Sequence, residues 1–575
     1  MEDNRSRSGF KKGPRKDGAR GTERKFSKPG DRKFGDKKFG DKKFGDKKFG
    51  EGRREDKHFS DRNRSDCKPG EKRFENGGSE GRGFGAKRSF DGKKREFSDG
   101  IRPQRSPRPN SSMPKSSRTQ VGADKKYNDQ PKKVMLDNRI EIALQTIIDV
   151  EKNGKYINLA FKNNEKLDRL DKKDRAYVMR ILYGVTEKSY TLDWLLQRVL
   201  KDKRIKPWLN TILRVGTYQI FFMRIEDAEA IEQAKLLCNK YVSEELCGFV
   251  TAVLSKLSEN KDEYTPELFK FASTTQRLAV TYSYPEWLID MWMADYGLDT
   301  TMSLLENANA ERSINLRVAY GESVEGVINQ LSEARINCEL GMLFNTVTIS
   351  DTVNIENLDL YREGKITAQG IGSMLTVNAL QVKDRSTVLD ACAAPGGKTF
   401  YIAEKTKGQV ESCDIHEHRV ELIKKGAERL GLENINAVCR DMTVPVEEYV
   451  DRFDRVLVDA PCSGYGMINS KPDIKNNAVP GEVDDLAKMQ QDILCACSEY
   501  VKEGGIMVYS TCTVSKKENE QNVKRFIADH PEFELVDISS DIPEVLNYSV
   551  EDGMVTLFPS RHNADAFFIS AMRRK

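Results

Sequence analysis

Residues 387–399 read Thr387-Val388-Leu389-Asp390-Ala391-Cys392-Ala393-Ala394-Pro395-Gly396-Gly397-Lys398-Thr399, an apolar run that ends in an acid and opens onto small residues and paired glycines. The apolar, β-branched start predicts a buried strand, and the glycines let the backbone close tightly before a helix. Similar apolar runs follow at Gln409 to Asp414, Asn436 to Cys439, Arg455 to Asp459 and Ile506 to Thr511, with helical periodicity between them. Alternating strands and helices predict a doubly wound, parallel α/β sheet of Rossmann type, which binds ligands beyond the carboxyl ends of its strands. The turn lacks both the Gly-x-x-x-x-Gly-Lys spacing of a phosphate loop and the Gly-x-Gly-x-x-Gly dinucleotide pattern.

Asp414, Asp441 and Asp459 each close one of the next three strands, so three carboxylates fall on one edge of the sheet. An acid at the end of the second strand suits ribose hydroxyls. Two more strand ends carry thiols: Asp459-Ala460-Pro461-Cys462-Ser463-Gly464 and Tyr509-Ser510-Thr511-Cys512-Thr513. A buried cysteine is usually an inert small hydrophobe, but two at the ligand-binding edge suggest chemistry. A soft thiolate is suited to adding to carbon 6 of a cytosine, which activates the poorly nucleophilic carbon 5 toward a methyl donor. A second group must then assist loss of the carbon 5 proton. Asp459 is placed to hold the ring near N3 and offset charge that develops during reaction.

Upstream the texture changes. Residues 1–133 hold 41 Lys and Arg against 21 Asp and Glu, which leaves 53 and 68 for residues 134–575: a basic arm on an acidic body. Within the arm a five-residue repeat sets Lys-Phe-Gly before an acid around Phe34, Phe39, Phe44 and Phe49, the acid being Asp in the first three copies and Glu in the last. Such a composition cannot build a core and predicts a disordered segment suited to RNA, with lysines meeting phosphates and phenylalanines stacking on bases. From 134 to 262 apolar residues recur at helical spacing, as in Ile140, Ala143, Leu144, Ile147 and Ile148, then Ala176, Met179, Ile181 and Leu182, and again over Leu209 to Met223, Ala228 to Tyr241 and Leu246 to Leu257. An all-helical domain of five or more helices is expected. Residues 263–360 mix helices (Pro285 to Tyr296, Val324 to Ala334) with short strands (Ile314 to Val318, Thr346 to Ile349), a small α+β linker domain. Residues 361–575 complete the order as the catalytic domain.

The eleven cysteines show no zinc-knuckle spacing, and there is no apolar core for a signal peptide and no run long enough to span a membrane. A reduced, cytoplasmic protein without structural metal is expected.

Cys392-Ala393-Ala394-Pro395-Gly396-Gly397-Lys398, Asp459-Ala460-Pro461-Cys462-Ser463 and Thr511-Cys512 together resemble the signature of the Nol1/Nop2/Sun family. The resemblance implies an S-adenosylmethionine-dependent RNA cytosine-C5 methyltransferase, with Cys392 to Lys398, Asp414, Asp441 and Asp459 binding the cofactor. It further implies Cys512 as nucleophile and Cys462 promoting release. Asp174-Arg175, Gly184, Leu192-Asp193, Leu213 to Gln219 and Gly248-Phe249-Val250 resemble a NusB-like RNA-binding domain, and Tyr282 to Leu288 with Gln369 resemble the bacterial RsmB type. The target implied for that type is cytosine 967 of 16S ribosomal RNA, with RNA as the partner and a monomeric enzyme. Two other readings are a non-catalytic NusB-like antitermination factor and the same chemistry on a different ribosomal or transfer RNA cytosine. A DNA cytosine methyltransferase is a third, and it would use the thiol at position 462 instead.

Overall fold

The computed structural model describes residues 134–575 except 154–155, 158–159, 161–163, 202–204, 265, 308–312, 351–352, 548–549 and 560–563. The basic arm of residues 1–133, and the disorder expected for it, lie outside the described residues.

Among the described residues, six helices of 12 to 16 residues make up most of the first domain: α1 (Asn138–Asn153), α2 (Lys172–Glu187), α3 (Ser189–Leu200), α4 (Pro207–Phe222), α5 (Asp227–Tyr241) and α6 (Cys247–Glu259). Their apolar stripes share one core that includes Ile140, Leu144, Ile181, Leu213 and Leu254. The stripe of α2 runs through Val178, Ile181, Leu182 and Val185. Ala176, expected on that stripe, is exposed, because it falls on the opposite side of a helix whose buried positions recur at i, i+3, i+4 and i+7. Arg214 on α4 reaches Asp193 on α3 through two hydrogen bonds of 2.7 and 2.6 Å and Glu151 on α1 at 2.8 Å, so one guanidinium ties three helices together.

Helices α7 (Thr274–Tyr282) and α8 (Glu286–Glu306) follow, the second broken at Gly297, where φ is +78°. Both pack toward the catalytic domain: Leu278, Leu288 and Trp292 share a core with Tyr465, Val514 and Phe558. The indole of Trp292 donates to the carbonyl of Val514 at 3.0 Å, two residues past Cys512. Next come β1 (Ile314–Val318), α9 (Val324–Glu333), β2 (Cys338–Leu340), β3 (Thr346–Ile349) and β4 (Ile366–Ala368), an antiparallel sheet in the order β2-β3-β1-β4. Its last strand lies beyond residue 360, where the sequence analysis closed the linker domain. Val318 pairing with Ile366 carries the small sheet into the segment that enters the catalytic domain.

After α10 (Ile371–Ala379), the catalytic sheet is built from β5 (Val388–Asp390), α11 (Gly397–Lys405), β6 (Val410–Asp414), α12 (Glu417–Leu430), β7 (Ile435–Cys439), β8 (Phe453–Asp459), the short α13 (Asp473–Asn477), α14 (Glu482–Ser498) and β9 (Val501–Thr511). Helix α15 (Glu520–Asp529) and strands β10 (Phe533–Leu535), β11 (Val550–Glu551), β12 (Met554–Leu557) and β13 (Phe567–Arg574) complete it. The strand order is β11-β12-β13-β9-β8-β5-β6-β7, with β10 also on β13. The five strands β5 to β9 pair in parallel, as the alternating pattern predicts. The remaining strands differ from that expectation: β13 is antiparallel to β9 and β12, so the sheet is mixed. Chain order reverses at β5, which has β6 on one side and β8 on the other, and a crevice opens at such a switch. Among the described residues no helix is long and apolar enough to cross a membrane.

Candidate active site

The carboxyl ends of β5 and β8 border a cavity of about 200 Å³, lined among others by Gln369, Asp390, Cys392, Lys398 and Asp459. Ala393, Ala394, Pro395 and Gly397 complete the turn side of that wall. Gly396 has φ +106°, and a Cβ there would meet the ring of Phe400 at 2.4 Å, so only glycine makes this turn without displacing the helix behind it. Larger clefts of about 360 and 590 Å³ lie elsewhere, against α1 to α4 and against β12. Chemistry rather than volume singles out the smaller one, since it alone of the three adjoins the glycine-rich turn at the switch point.

Lys398 begins α11, and its ammonium sits 2.6 Å from Asp459 Oδ2. The hydroxyl of Ser510 donates to Asp459 Oδ1 at 2.8 Å. Asp459 is thus held between a cation and a hydroxyl. Asp390 is fully buried: Thr399 donates to its Oδ2 at 2.7 Å, while its Oδ1 has no protein partner. Burial pushes its carboxyl up to about 7. An acceptor oxygen without a donor, on the wall of a cavity at a helix start, fits a ligand that carries an ammonium group, as the methionine part of S-adenosylmethionine does. The cavity is smaller than the roughly 300 Å³ of typical small-molecule sites. The ends of β6 and β7 extend the same edge. There Asp414 Oδ1 accepts from the backbone of His416 at 3.0 Å and its Oδ2 meets Arg419 at 3.2 Å. Asp441 accepts from the backbone and hydroxyl of Thr443 at 2.9 and 2.7 Å. Neither carboxylate lines the cavity itself.

The two thiols come together, Cys462 Sγ lying 3.3 Å from Cys512 Sγ. The hydrogen bond from Cys462 holds the Cys512 thiol below the usual range, aided by the charges of Lys398 and Lys471 and opposed by burial and Asp459. That same bond, together with burial, pushes Cys462 well above it. The two thiols share one hydrogen bond and titrate as a pair, with Cys512 its more acidic member. Burial likewise pushes Cys392 up, which suits a wall residue rather than a nucleophile.

Sequence reasoning passed over three groups here. The salt bridge between Lys398 and Asp459 joins residues 61 apart, and the Ser510 contact spans 51 positions, so neither has a local signal. Asp390 was visible as a strand end, but its burial was not. Among the described residues no three His, Cys, Asp or Glu side chains are grouped as a metal site would require.

Comparison with known proteins agrees with this architecture. Residues 377–573 match the family model described as 16S rRNA methyltransferase RsmB/F, residues 137–259 match the NusB family, and residues 284–356 match the RsmF/B-like ferredoxin-like domain. A Bacillus subtilis (strain 168) protein named "Probable ribosomal RNA small subunit methyltransferase B" is 35% identical over 442 residues, covering 76% of this chain and 98% of the relative. A protein of the same name from Synechocystis sp. (strain ATCC 27184 / PCC 6803 / Kazusa) is 30% identical over 448 residues, covering 76% and 99%. The solved structure of PH0851 superposes with a TM-score of 0.65 at 25% identity, covering 77% of this chain and all of that one. The chain belongs to the RsmB/F family of 16S rRNA methyltransferases, in the arrangement that places a NusB domain and a ferredoxin-like domain ahead of the methyltransferase domain.

Proposed function

We propose that this protein methylates carbon 5 of a cytosine in small-subunit ribosomal RNA, cytosine 967 being the position that the resemblance to the RsmB type implies, through a covalent adduct of Cys512. The observation that carries the reading is the pair of sulfurs 3.3 Å apart just past the ends of β8 and β9, near enough to Lys398 and Asp459 for their charges to act on Cys512. Cys392 to Lys398, Asp390, Asp414 and Asp441 are the residues that would hold S-adenosylmethionine, whose sulfonium supplies an electrophilic methyl group.

Cys512 enters as thiolate and forms a bond to carbon 6 of the ring; the electron pair of the carbon 5–carbon 6 double bond becomes available at carbon 5. Asp459, fixed by Lys398 and Ser510, can accept from the amino edge of the cytosine, while the Lys398 ammonium beside it offsets the negative charge that spreads over the ring as the adduct forms. After carbon 5 is methylated its proton has to leave. Once Cys512 is bonded to carbon, the negative sulfur that kept Cys462 protonated is gone, so Cys462 can release its proton to water and, as a thiolate, take the one from carbon 5. The double bond then re-forms and expels the Cys512 thiolate. A DNA-type scheme with Cys462 as nucleophile is disfavoured because burial and the bond to Cys512 make its thiol harder to ionise. A purely RNA-binding role leaves the thiol pair without a purpose.

The test is methylation of small subunits from cells lacking this enzyme, using cofactor with a labelled methyl group, followed by digestion to nucleosides. Label is expected in 5-methylcytidine and absent with Cys512→Ala. Label in another nucleoside, or undiminished label with the variant, would overturn the reading. The cell compartment expected for such a substrate is the cytoplasm.

A further inference from the structure

The turn after Cys512 carries two adjacent polar residues, Glu518 and Asn519, both fully buried and neither used by the chemistry above. The Glu518 carboxylate faces the loop of Cys462. Its Oε1 accepts from the backbone N–H of Ser463 at 2.9 Å and from Gln490 Nε2 at 3.0 Å, and its Oε2 accepts from the hydroxyl of Ser463 at 2.6 Å. Gln490 Nε2 also donates to the carbonyl of Pro461 at 2.9 Å. These contacts fasten the residues on either side of Cys462. Asn519 does the same for Cys512: its Nδ2 donates to the carbonyl of Thr513 at 3.0 Å, and its Oδ1 accepts from the hydroxyl of Thr511 at 2.6 Å. The hydroxyls of Ser463 and Thr513, 2.6 Å apart, close the ring between the two loops.

A carboxylate is costly to bury, and Glu518 is satisfied in these contacts by neutral donors rather than by a cation. A buried group with both oxygens committed to one loop is built to hold that loop's geometry. The division between neighbours is equally plain, with one side chain gripping each sulfur-bearing segment from a shared backbone.

We propose that Glu518 and Asn519 are positioning residues for the two halves of the reaction: Asn519 fixes Cys512 for attack on the ring, and Glu518 fixes Cys462 for removal of the carbon 5 proton. This rests on the reading in which Cys512 forms the adduct and Cys462 releases it. The two contributions separate kinetically. Loosening Cys462 leaves attack and methyl transfer intact but stalls elimination, so the protein–RNA adduct builds up. Loosening Cys512 slows the first turnover and leaves no adduct to build up.

Full-length Glu518→Ala, Ser463→Ala, Asn519→Ala, Glu518→Gln and Cys462→Ala would be compared on undermethylated 16S rRNA. Adduct would be read as a slow band on a denaturing gel during turnover, and methyl incorporation in a single turnover. Misplacing a reacting group by about 1 Å costs on the order of 100-fold. Glu518→Ala is therefore expected to lose about 100-fold in steady-state turnover while the single-turnover rate stays within about twofold and adduct rises. Ser463→Ala, which removes only one hydroxyl, should show the same pattern at about a tenth of the size, and it decides the matter if Glu518→Ala does not fold. Glu518→Gln keeps an oxygen for Ser463 N–H and Gln490 and offers its amide to the Ser463 hydroxyl, so it should recover most of the turnover. Asn519→Ala should lose about 100-fold in the single turnover with no adduct gained. Parallel loss of both rates without adduct in Glu518→Ala and Ser463→Ala would overturn the positioning role. Absence of adduct in Cys462→Ala would instead overturn the assignment of the thiols, and the proposal with it.

Discussion

Arg317 and Glu404 join the small antiparallel sheet to the helix that follows the glycine-rich turn, and breaking that link has a calculable cost. Arg317, on β1, is almost wholly buried; its Nη1 pairs with the carboxylate of Glu404 on α11, its Nε donates to Gln369 Oε1 at 2.8 Å, and its guanidinium lies 4.7 Å over the ring of Tyr401. Arg317→Met fills much of the same volume but strands the Glu404 carboxylate and the Gln369 amide oxygen without their donor. Removing one partner of a buried ion pair costs about 3–5 kcal/mol, because the other charge stays desolvated. For a folded body spanning residues 134–575, at about 2.1 cal/mol/K of unfolding entropy per residue, that corresponds to a fall of about 3–5 °C in Tm. Replacing both charges by apolar groups of similar volume is often close to neutral, so Arg317→Met/Glu404→Met should recover all but about 1 kcal/mol. Urea unfolding of wild type, both single variants and the double variant, followed by tryptophan fluorescence, completes the cycle. A single-variant loss below about 1 kcal/mol, or a double variant less stable than Arg317→Met, would refute the assignment of this pair as a buried, mutually dependent link.

Asp390 holds a proton up to about pH 7 when folded and only to about 3.8 when unfolded, so the stability it lends is complete below pH 3.8 and is lost as pH rises through 7. Asp390→Asn, which cannot titrate, should therefore show a shallower decline of Tm between pH 4 and pH 7 than wild type; equal slopes would contradict the buried carboxyl. In Cys462→Ala the Cys512 thiol loses the hydrogen bond that holds it below the usual range, so its alkylation by iodoacetamide should move to higher pH; an unmoved profile would show that the sulfurs do not communicate. Gly466→Ala places a Cβ 2.3 Å from the carbonyl of Ala566 and 2.8 Å from that of Cys512, both backbone, so a loss of about 1–3 kcal/mol is expected together with slowed adduct formation. Wild-type stability in that variant would mean the loops give way freely.

How far the sequence spoke depended on how local each signal was. Strands β5 to β9 were visible because each is a short apolar run ended by a distinctive residue, and the Cys462 and Cys512 motifs stood at two of those ends. The antiparallel strands β10 to β13 were not, since Phe567–Arg574 inserts between β9 and β12 only through long-range pairing. Asp414 and Asp441 were legible as strand ends, yet their side chains are taken up by Arg419 and Thr443, which no spacing announces. Glu518 looks from sequence like one more surface acid in a charged run, Lys516-Lys517-Glu518-Asn519-Glu520. Its burial arises from three donors contributed by residues 463 and 490. On α2 only Ala176 falls off the predicted stripe, its small side chain carrying little hydrophobic signal either way.

The proposed bond between Cys512 and carbon 6 of a cytosine in small-subunit ribosomal RNA can be trapped. Fluorine at carbon 5 cannot leave as the proton does, so an RNA carrying 5-fluorocytosine in place of cytosine should halt the reaction at the methylated adduct. Digestion of the trapped complex and mass spectrometry of the peptides would then locate the modified residue. The nucleotide is expected on the peptide containing Cys512, and only when S-adenosylmethionine is supplied. A nucleotide on Cys462, or no covalent complex while methylation of the normal RNA proceeds, would contradict the account.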